Sequence, residues 1–209
     1  NRLKLNRNNV DIRKVLAELA PLFEFQCAQK GLFLQLELSD DLPKSVLTDK
    51  SRLAEVVINL TSNALKFTSK GGITIGARLD PENEEDIRVW VSDTGIGIKE
   101  EEKARLFKMF SRLDSGSDMN PHGAGLGLMI SNSLIKLLNR SDEGIQFRTE
   151  WSKGSTFWFK IPAYSMEEPE FNSLRLIPEE RPDTGNKPLP TSLIKKPFSD
   201  KGRRKAQKI

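Results

Sequence analysis

The chain has 209 residues, with 33 Lys and Arg against 29 Asp and Glu, and a formal net charge of +4 at pH 7. This length fits one domain of ordinary size with an appendage, and the single cysteine, Cys27, excludes an internal disulfide. Because there is no signal-peptide pattern and no run near the roughly 20 apolar residues of a membrane-spanning helix, we expect a cytoplasmic setting, with any membrane segment outside this chain.

The first predicted elements are a helix and a strand. Apolar residues recur at helical spacing over residues 12–30, with Asp11 as a plausible N-cap and Gly31 as the stop. Apolar and polar residues then alternate from Leu32 to Leu38, which predicts a strand that ends at a turn before Pro43.

The next segment predicts a helix followed by a hairpin. Helical spacing extends from Lys50 to Phe67, with Thr48 or Asp49 as the cap. Two strands follow at Ile73–Leu79 and Ile87–Ser92, and the polar loop between them makes a β-hairpin the simplest connection.

The rest of the globular part predicts one long irregular stretch, a helix and two strands. Residues 94–124 are rich in Gly, Ser and Asp around one short helical patch, Glu101–Phe110, and so long a loop in a compact domain is more often functional than idle. A helix fits Leu126–Leu138, and strands fit Ile145–Glu150 and Ser155–Ile161. This order predicts an α+β two-layer sandwich, a mixed and mostly antiparallel sheet with helices on one face.

The composition changes near Ala163. Up to that residue 23 basic side chains face 22 acidic ones, whereas the remaining residues hold six of the eleven prolines and ten basic against seven acidic side chains. We therefore expect a domain over residues 1–163 and a Pro-rich, basic, disordered linker over residues 164–209. The basic residues of the tail could instead anchor nucleic acid or anionic lipid, but almost no aromatic residues lie among them, and no nucleic-acid partner is expected.

The helix at 50–67 carries a polar stripe beside its apolar face. Asn59, Asn63 and Lys66 follow one another at helical spacing on a helix that is apolar nearly all round. Two carboxamides supply oxygen ligands for Mg²⁺, and the lysine supplies a cation for phosphate. The alternative is a solvated stripe on a half-exposed helix.

Two glycine-rich segments complete the set of candidate ligand-binding residues. Asp93 to Ile98 directly follow a strand, and the aspartate can accept a hydrogen bond from an exocyclic amine, although turns after strands are commonly rich in Asp and Gly. Gly123 to Leu128 run into a helix whose free N–H groups and dipole favour phosphate. The second segment matches neither the Rossmann fingerprint nor a Walker A loop.

In this order and at these separations, the three segments resemble the Bergerat ATP-binding fold of gyrase, heat-shock chaperones, histidine kinases and mismatch-repair ATPases. The resemblance covers about Leu3 to Pro162. The segments similar to the boxes of histidine kinases are the N box Asn59–Thr68, the first glycine box Asp93–Gly97, the F box Phe107–Arg112, the second glycine box Gly123–Gly127 and the closing strand Gly154–Phe157.

The resemblance implies a role for each motif residue. Asn63 would ligate Mg²⁺ with the support of Asn59, Lys66 and Arg112 would contact the phosphates, and Asp93 would bind the adenine amino group. Residues 98–124 would form the ATP lid, which Phe107 and Phe110 anchor by burial. The further nucleotide contacts implied are Phe67, Gly95, Gly97, Ile98, Phe110, Gly123, Gly125, Leu126, Gly127, Leu128 and Thr156.

The residue one turn before Asn63 favours one reaction over another. The hydrolases of this superfamily resemble one another in having a glutamate there, where it can activate water, whereas this chain has Asn59. Because an amide cannot accept a proton at neutral pH, transfer to a protein nucleophile is favoured over hydrolysis. Glu55 lies a further turn back, and we expect it to face solvent or a partner.

The resemblance therefore implies a protein histidine kinase of a two-component phosphorelay. His122, the sole histidine, lacks the sequence pattern of the family's acceptor, so the histidine-containing acceptor and dimerisation domain is expected upstream of Asn1. A response regulator or receiver domain is expected downstream. Two alternatives remain: an ATP-binding pseudo-kinase or scaffold module without transferase activity, and an ATPase of the gyrase or chaperone type.

Overall fold

The computed structural model describes residues 4–104, 106–107, 126–139 and 141–165. None of the helices in these ranges is long and apolar enough to cross a membrane. The predicted tail, most of the lid and most of the F box lie outside them. The elements are β1 (Asn8–Val10), α1 (Ile12–Leu19), α2 (Pro21–Gln29), β2 (Phe33–Leu38), β3 (Val46–Thr48), α3 (Lys50–Phe67), β4 (Gly72–Leu79), β5 (Asp86–Asp93), α4 (Glu100–Lys103), α5 (Gly127–Asn139), β6 (Gln146–Glu150) and β7 (Gly154–Pro162).

Five strands form the main sheet in the order β2-β4-β5-β7-β6. Strands β2 and β4 run parallel, and every other neighbouring pair is antiparallel. The predicted α+β sandwich with a mixed, mostly antiparallel sheet is confirmed. Strands β1 and β3 pair separately as a two-stranded antiparallel sheet.

The core lies between the helices and one face of the sheet. Buried side chains of β4, β5 and β7 on that face share a single apolar cluster with residues of α1, α3 and α5. Alternate residues point to the other face. There Trp90 and Trp158 sit opposite each other, with Arg78 over the first ring and Arg88 over the second.

Helix α3 has the bounds and the apolar face predicted from the sequence. The Asp49 carboxylate caps it by accepting hydrogen bonds from the Ser51 and Arg52 amides. The same carboxylate accepts a 2.8 Å bond from the Asn6 amide, so the N-terminal segment is tied to the start of this helix.

Three predictions of secondary structure were wrong. The single helix over residues 12–30 is two helices, because Pro21 has no N–H and begins α2. The helical patch predicted to reach Phe110 ends at Lys103, and residues 106 and 107 form a turn. The three-residue strands β1 and β3 were not predicted, since neither is long enough to show alternation.

Candidate functional site

Helix α3 presents the predicted carboxamides at the edge of the core. Asn59 and Asn63 are half-buried, whereas Lys66 is exposed and places its ammonium 5.2 Å from the centroid of the Phe67 ring. The carboxamide of Asn63 makes no hydrogen bond to any residue that the structure describes. Its carboxamide oxygen is therefore without a protein partner among the described residues.

Helix α5 begins against Asn59. A Cβ on Gly127 would overlap the Asn59 Oδ1 atom, so only glycine permits this approach. One turn later, the buried Ser131 Oγ accepts a 2.9 Å hydrogen bond from Asn59 Nδ2. A cleft of about 520 Å³ opens between the two helices, and its lining includes Asn59, Gly127 and Ser131.

Asp93 ends strand β5 and keeps its carboxylate fixed by backbone amides. One carboxylate oxygen accepts a 2.8 Å hydrogen bond from the Gly95 amide. Burial raises the pKa of Asp93, and hydrogen bonds from the Gly95 and Ser155 amides oppose that rise only in part. Among the described residues no cation pairs with this acid.

The first glycine segment packs against the end of α3. A Cβ on Gly95 would overlap the Phe67 carbonyl oxygen, and the Ile96 amide donates a 3.2 Å hydrogen bond to that same oxygen. The segment therefore brings Asp93 and the C-terminal end of the Asn-bearing helix together. The family motifs implied that these two segments meet, whereas their separation along the chain gave no sign of it.

The same segment is locked onto the turn between β6 and β7. Gly97 has a φ of +67°, and its Cα lies against the Glu150 carbonyl group. The Ser152 amide donates a 2.7 Å hydrogen bond to the Ile96 carbonyl, and the Ile98 amide donates a 2.9 Å bond to Thr149 Oγ1. These contacts hold the loop in place before any ligand enters.

The structure does not bring the Thr156 side chain to Asp93. Thr156 Oγ1 lies 2.8 Å from Ser92 Oγ on the face of the sheet that the helices do not cover. Ser155 is the register partner of Asp93 and lies on its face, where Ser155 Oγ is 2.9 Å from Thr149 Oγ1. Because side chains alternate along the strand, Ser155 rather than Thr156 lies on the Asp93 face, and the nucleotide contact implied for Thr156 stays a prediction.

Other predicted site residues are only partly within the described ranges. Leu126 and Leu128 are half-buried at the start of α5, and Leu128 packs on the core. Phe107 is half-buried with its ring centroid 5.9 Å from that of Phe147. Phe110, Arg112, His122, Gly123 and Gly125 lie outside the residues that the structure describes.

Sequence reasoning missed Ser131 and Ser155. Ser131 follows Gly127 by four residues on one helix face, which was the available signal for a polar group beside the glycine segment. The geometry as a whole offers a buried acceptor at one end and carboxamides at the other.

Comparison with known proteins identifies the family. The model of the histidine kinase-, DNA gyrase B- and HSP90-like ATPases matches residues 48–165. The chain belongs to this family. Among curated relatives, the signal transduction histidine-protein kinase BarA of Escherichia coli (strain K12) is 38% identical over 152 residues, which are 72% of this chain and 16% of BarA.

Other relatives agree with that assignment. The aerobic respiration control sensor protein ArcB of Escherichia coli (strain K12) is 37% identical over 168 residues, 80% of this chain and 21% of ArcB. The chain thus spans about a fifth or less of these relatives' lengths.

Solved structures show the same fold. Full-length ShkA in complex with AMPPNP is 30% identical with a TM-score of 0.67, over 79% of this chain and 33% of that one. The nucleotide-free catalytic domain of histidine kinase ThkA is 27% identical with a TM-score of 0.63, over 76% and 97% of the two chains. The predicted histidine-kinase-type ATP-binding domain is confirmed.

Proposed function

We propose that this chain binds Mg²⁺-ATP and transfers the γ-phosphate to a histidine on a separate helical domain. The observation that carries the proposal is the contact between the Asp93–Gly95 turn and the end of α3. This contact places a fixed carboxylate next to the helix that bears both carboxamides. It supports one ligand that has an amine at one end and phosphates at the other.

In the proposed site, Asp93 binds the adenine ring of the nucleotide. Its carboxylate is oriented by amides and unpaired with any described cation, so it is free to accept a hydrogen bond from an exocyclic amine. The Gly95 and Gly97 segment lines this end without side-chain bulk. Ser155, rather than Thr156, is the neighbouring hydroxyl.

In the proposed site, residues of α3 and α5 bind the phosphates and Mg²⁺; we call this the phosphate end of the site. Mg²⁺ takes oxygen ligands, and the unpartnered carboxamide of Asn63 fits that preference. When bound, the metal would neutralise phosphate charge. Asn59 supports the same region, Lys66 supplies a cation, and Gly127 lets the start of α5, whose free N–H groups favour an anion, approach Asn59 closely. Arg112, Gly123 and Gly125 are assigned to the phosphates by their motifs.

The side chains present favour positioning over water activation. Glu55 is exposed and lines the same cleft as Asn59, but its carboxylate is paired with the Arg52 guanidinium at 2.7 Å. Asn59 cannot accept a proton at neutral pH. Catalysis by this chain therefore consists of holding the triphosphate for in-line attack by an external nucleophile.

The proposed function requires further parts. We place the histidine-containing acceptor and dimerisation domain upstream, and a response regulator or receiver domain downstream of a linker at residues 164–209. The domain proper is residues 1–163.

A transfer assay tests the proposal. The chain is incubated with its separately expressed acceptor domain and γ-labelled ATP, and acid-labile phosphohistidine is expected. Asn63→Ala should reduce labelling by about 100-fold, the usual scale for an electrostatic contact to the transition state. Asn83→Ala, in the exposed loop at the far end of β5, is the matched control and should transfer normally.

The products distinguish the alternatives. Free phosphate without labelled histidine would identify a hydrolase of the gyrase or chaperone type. Nucleotide binding without either product would identify a pseudo-kinase or scaffold module. No uptake of adenine nucleotide at millimolar concentration with the metal present would sink the proposal altogether.

A further inference from the structure

We propose that Ser131 is a positioning residue that anchors the Asn59 carboxamide at the start of α5. The inference rests on the proposed function, because Asn59 acts there at the phosphate end. Ser131 belongs to none of the segments that resemble family boxes. It enters the site only through the fold.

The contact joins distant parts of the chain at a buried point. Asn59 Nδ2 donates to Ser131 Oγ at 2.9 Å across 72 residues of sequence. The Ser131 side chain is 2% exposed, so water does not compete for this hydrogen bond. The bond therefore fixes one end of the carboxamide.

The other end of the carboxamide is defined by Gly127. The Asn59 Oδ1 atom lies where a Cβ on Gly127 would be, next to the first residue of α5. Nδ2 is thus engaged by the serine, while the oxygen faces the start of the helix. The hydroxyl can accept from Nδ2 or donate to an oxygen that takes its place, so it anchors the carboxamide against α5 rather than selecting one of its two ends.

Loss of the Ser131 hydroxyl would leave the Asn59 carboxamide free to turn about its terminal torsion. The terminal torsion of asparagine is broad, so packing alone does not choose between the two ends of the amide. A carboxamide released from Ser131 would turn about that torsion and would no longer hold one fixed group toward the metal and the phosphates. Substitution of a residue that hydrogen-bonds to a ligand-contacting side chain typically lowers metal affinity or activity by about 10-fold to 100-fold.

A purely structural role makes a different prediction. Helices α3 and α5 pack together through apolar residues as well, and the serine could serve only to hold them. In that case its removal would lower stability and weaken all nucleotide binding equally. A positioning role instead affects the part of binding that depends on the metal.

Calorimetry with a non-hydrolysable ATP analogue, with Mg²⁺ and with chelator, separates the two roles. Ser131→Ala should reduce the metal-dependent gain in affinity by about 10-fold and change metal-free affinity less than about twofold. Ser131→Cys retains most of the volume but has a weak acceptor, so it should behave like Ser131→Ala. Ser133→Ala is the matched control, because that exposed hydroxyl bonds only to Met129 of its own helix.

A double-mutant cycle tests whether the serine acts through Asn59. In the Asn59→Ala background, Ser131→Ala should have no further effect on the metal-dependent gain. In the nucleotide-free protein, the Asn59 side-chain amide NMR signals should shift in Ser131→Ala and stay in place in Ser133→Ala.

The other possible outcomes reject either the positioning role alone or the proposed function with it. Equal loss with and without metal, additive effects in the cycle, or unchanged affinity in Ser131→Ala would overturn the positioning role while leaving the proposed function intact. Absence of nucleotide binding by the unsubstituted chain would reject the proposed function and this inference together.

Discussion

Two carboxylates near opposite ends of strand β5 differ in what surrounds their charge. Asp80 directly follows β4 and bonds through its amide to Asp86 at the start of β5. It is fully buried, and its carboxylate oxygens lie 2.7 Å from Arg88 Nε and 3.6 Å from Lys160 Nζ. Burial opposes ionisation, but hydrogen bonds from Arg88 and the Glu82 amide hold the pKa of Asp80 below its ordinary value. Asp93, at the other end, has backbone amides alone, and burial raises its pKa.

The comparison separates a structural acid from an acid kept for a ligand. The charge of Asp80 is balanced within the domain, so this residue has no capacity left for another partner. The charge of Asp93 is oriented but not balanced, which is the condition expected of a site that awaits a hydrogen-bond donor. A balanced charge thus lies near one end of β5 and an unbalanced one at the other.

The largest expected effect is on stability at the Asp80 end. Asp80→Asn would place an amide NH₂ against the Arg88 guanidinium and leave two cations poorly compensated. We expect the free energy of unfolding to fall by about 3 kcal/mol or more. Chemical denaturation measures this, and nucleotide affinity of the folded protein should remain unchanged.

Glu82 supplies the control for that substitution. Its side chain is 73% exposed, although it also approaches Arg88 and Lys160. Glu82→Gln should cost less than about 1 kcal/mol. A loss as large as that of Asp80→Asn would show that burial does not distinguish these carboxylates.

The next largest effect is expected at Asp93, where substitution should change the free energy of ATP binding rather than that of unfolding. Asp93→Asn exchanges an acceptor for a donor and should weaken ATP affinity by about 10-fold to 100-fold, the scale of a hydrogen bond to a charged group. Calorimetry measures the affinity. Asp86→Asn, at the start of the same strand, is the control and should bind normally; equal losses in both variants would remove Asp93 from the site.

The smallest expected effect is a difference in pH dependence. Because the folded pKa of Asp80 is lowered, its stabilisation is present above the ordinary value of 3.8 and is lost as pH falls through the lowered value. The pKa of Asp93 is raised, so the folded state holds that proton more tightly, and this contribution is lost as pH rises above 3.8.

Denaturation from about pH 3 to about pH 7 measures both signs. The stability advantage of the unsubstituted chain over Asp80→Asn should grow as pH rises, and its advantage over Asp93→Asn should shrink. Parallel slopes for the two variants would contradict the distinction drawn between the acids.

Much of the architecture could be predicted from local patterns. Helix α3 was predicted with both bounds because 18 residues of regular spacing follow a strong cap. The break between α1 and α2 was missed because apolar spacing continues across it, although Pro21 carried the signal. Pairing of β1 with β3 is set by contacts 40 residues apart, and no local pattern encodes it.

The candidate site was predictable where glycine and asparagine form a motif. Asn59, Asn63 and Asp93 were singled out in this way, and their roles in binding stay predictions. Ser131 was missed because a serine within a helix has no local mark, and its hydrogen bond exists only after α3 and α5 pack. Thr156 stays a prediction from its motif; its side chain lies on the opposite face of the sheet from Ser155, because side chains alternate along a strand.

The parallel alignment of β2 with β4 has a consequence for how the Asn-bearing helix is held. Parallel neighbours cannot be joined by a tight turn, so the chain from Leu38 to Gly72 must cross over the sheet, and α3 forms most of that crossing. The crossing ties the helix to the edge strand before it and to the strand after it, so we expect the helix and the edge strand to unfold together. The carboxamides are thus carried on an element that the sheet holds from both directions.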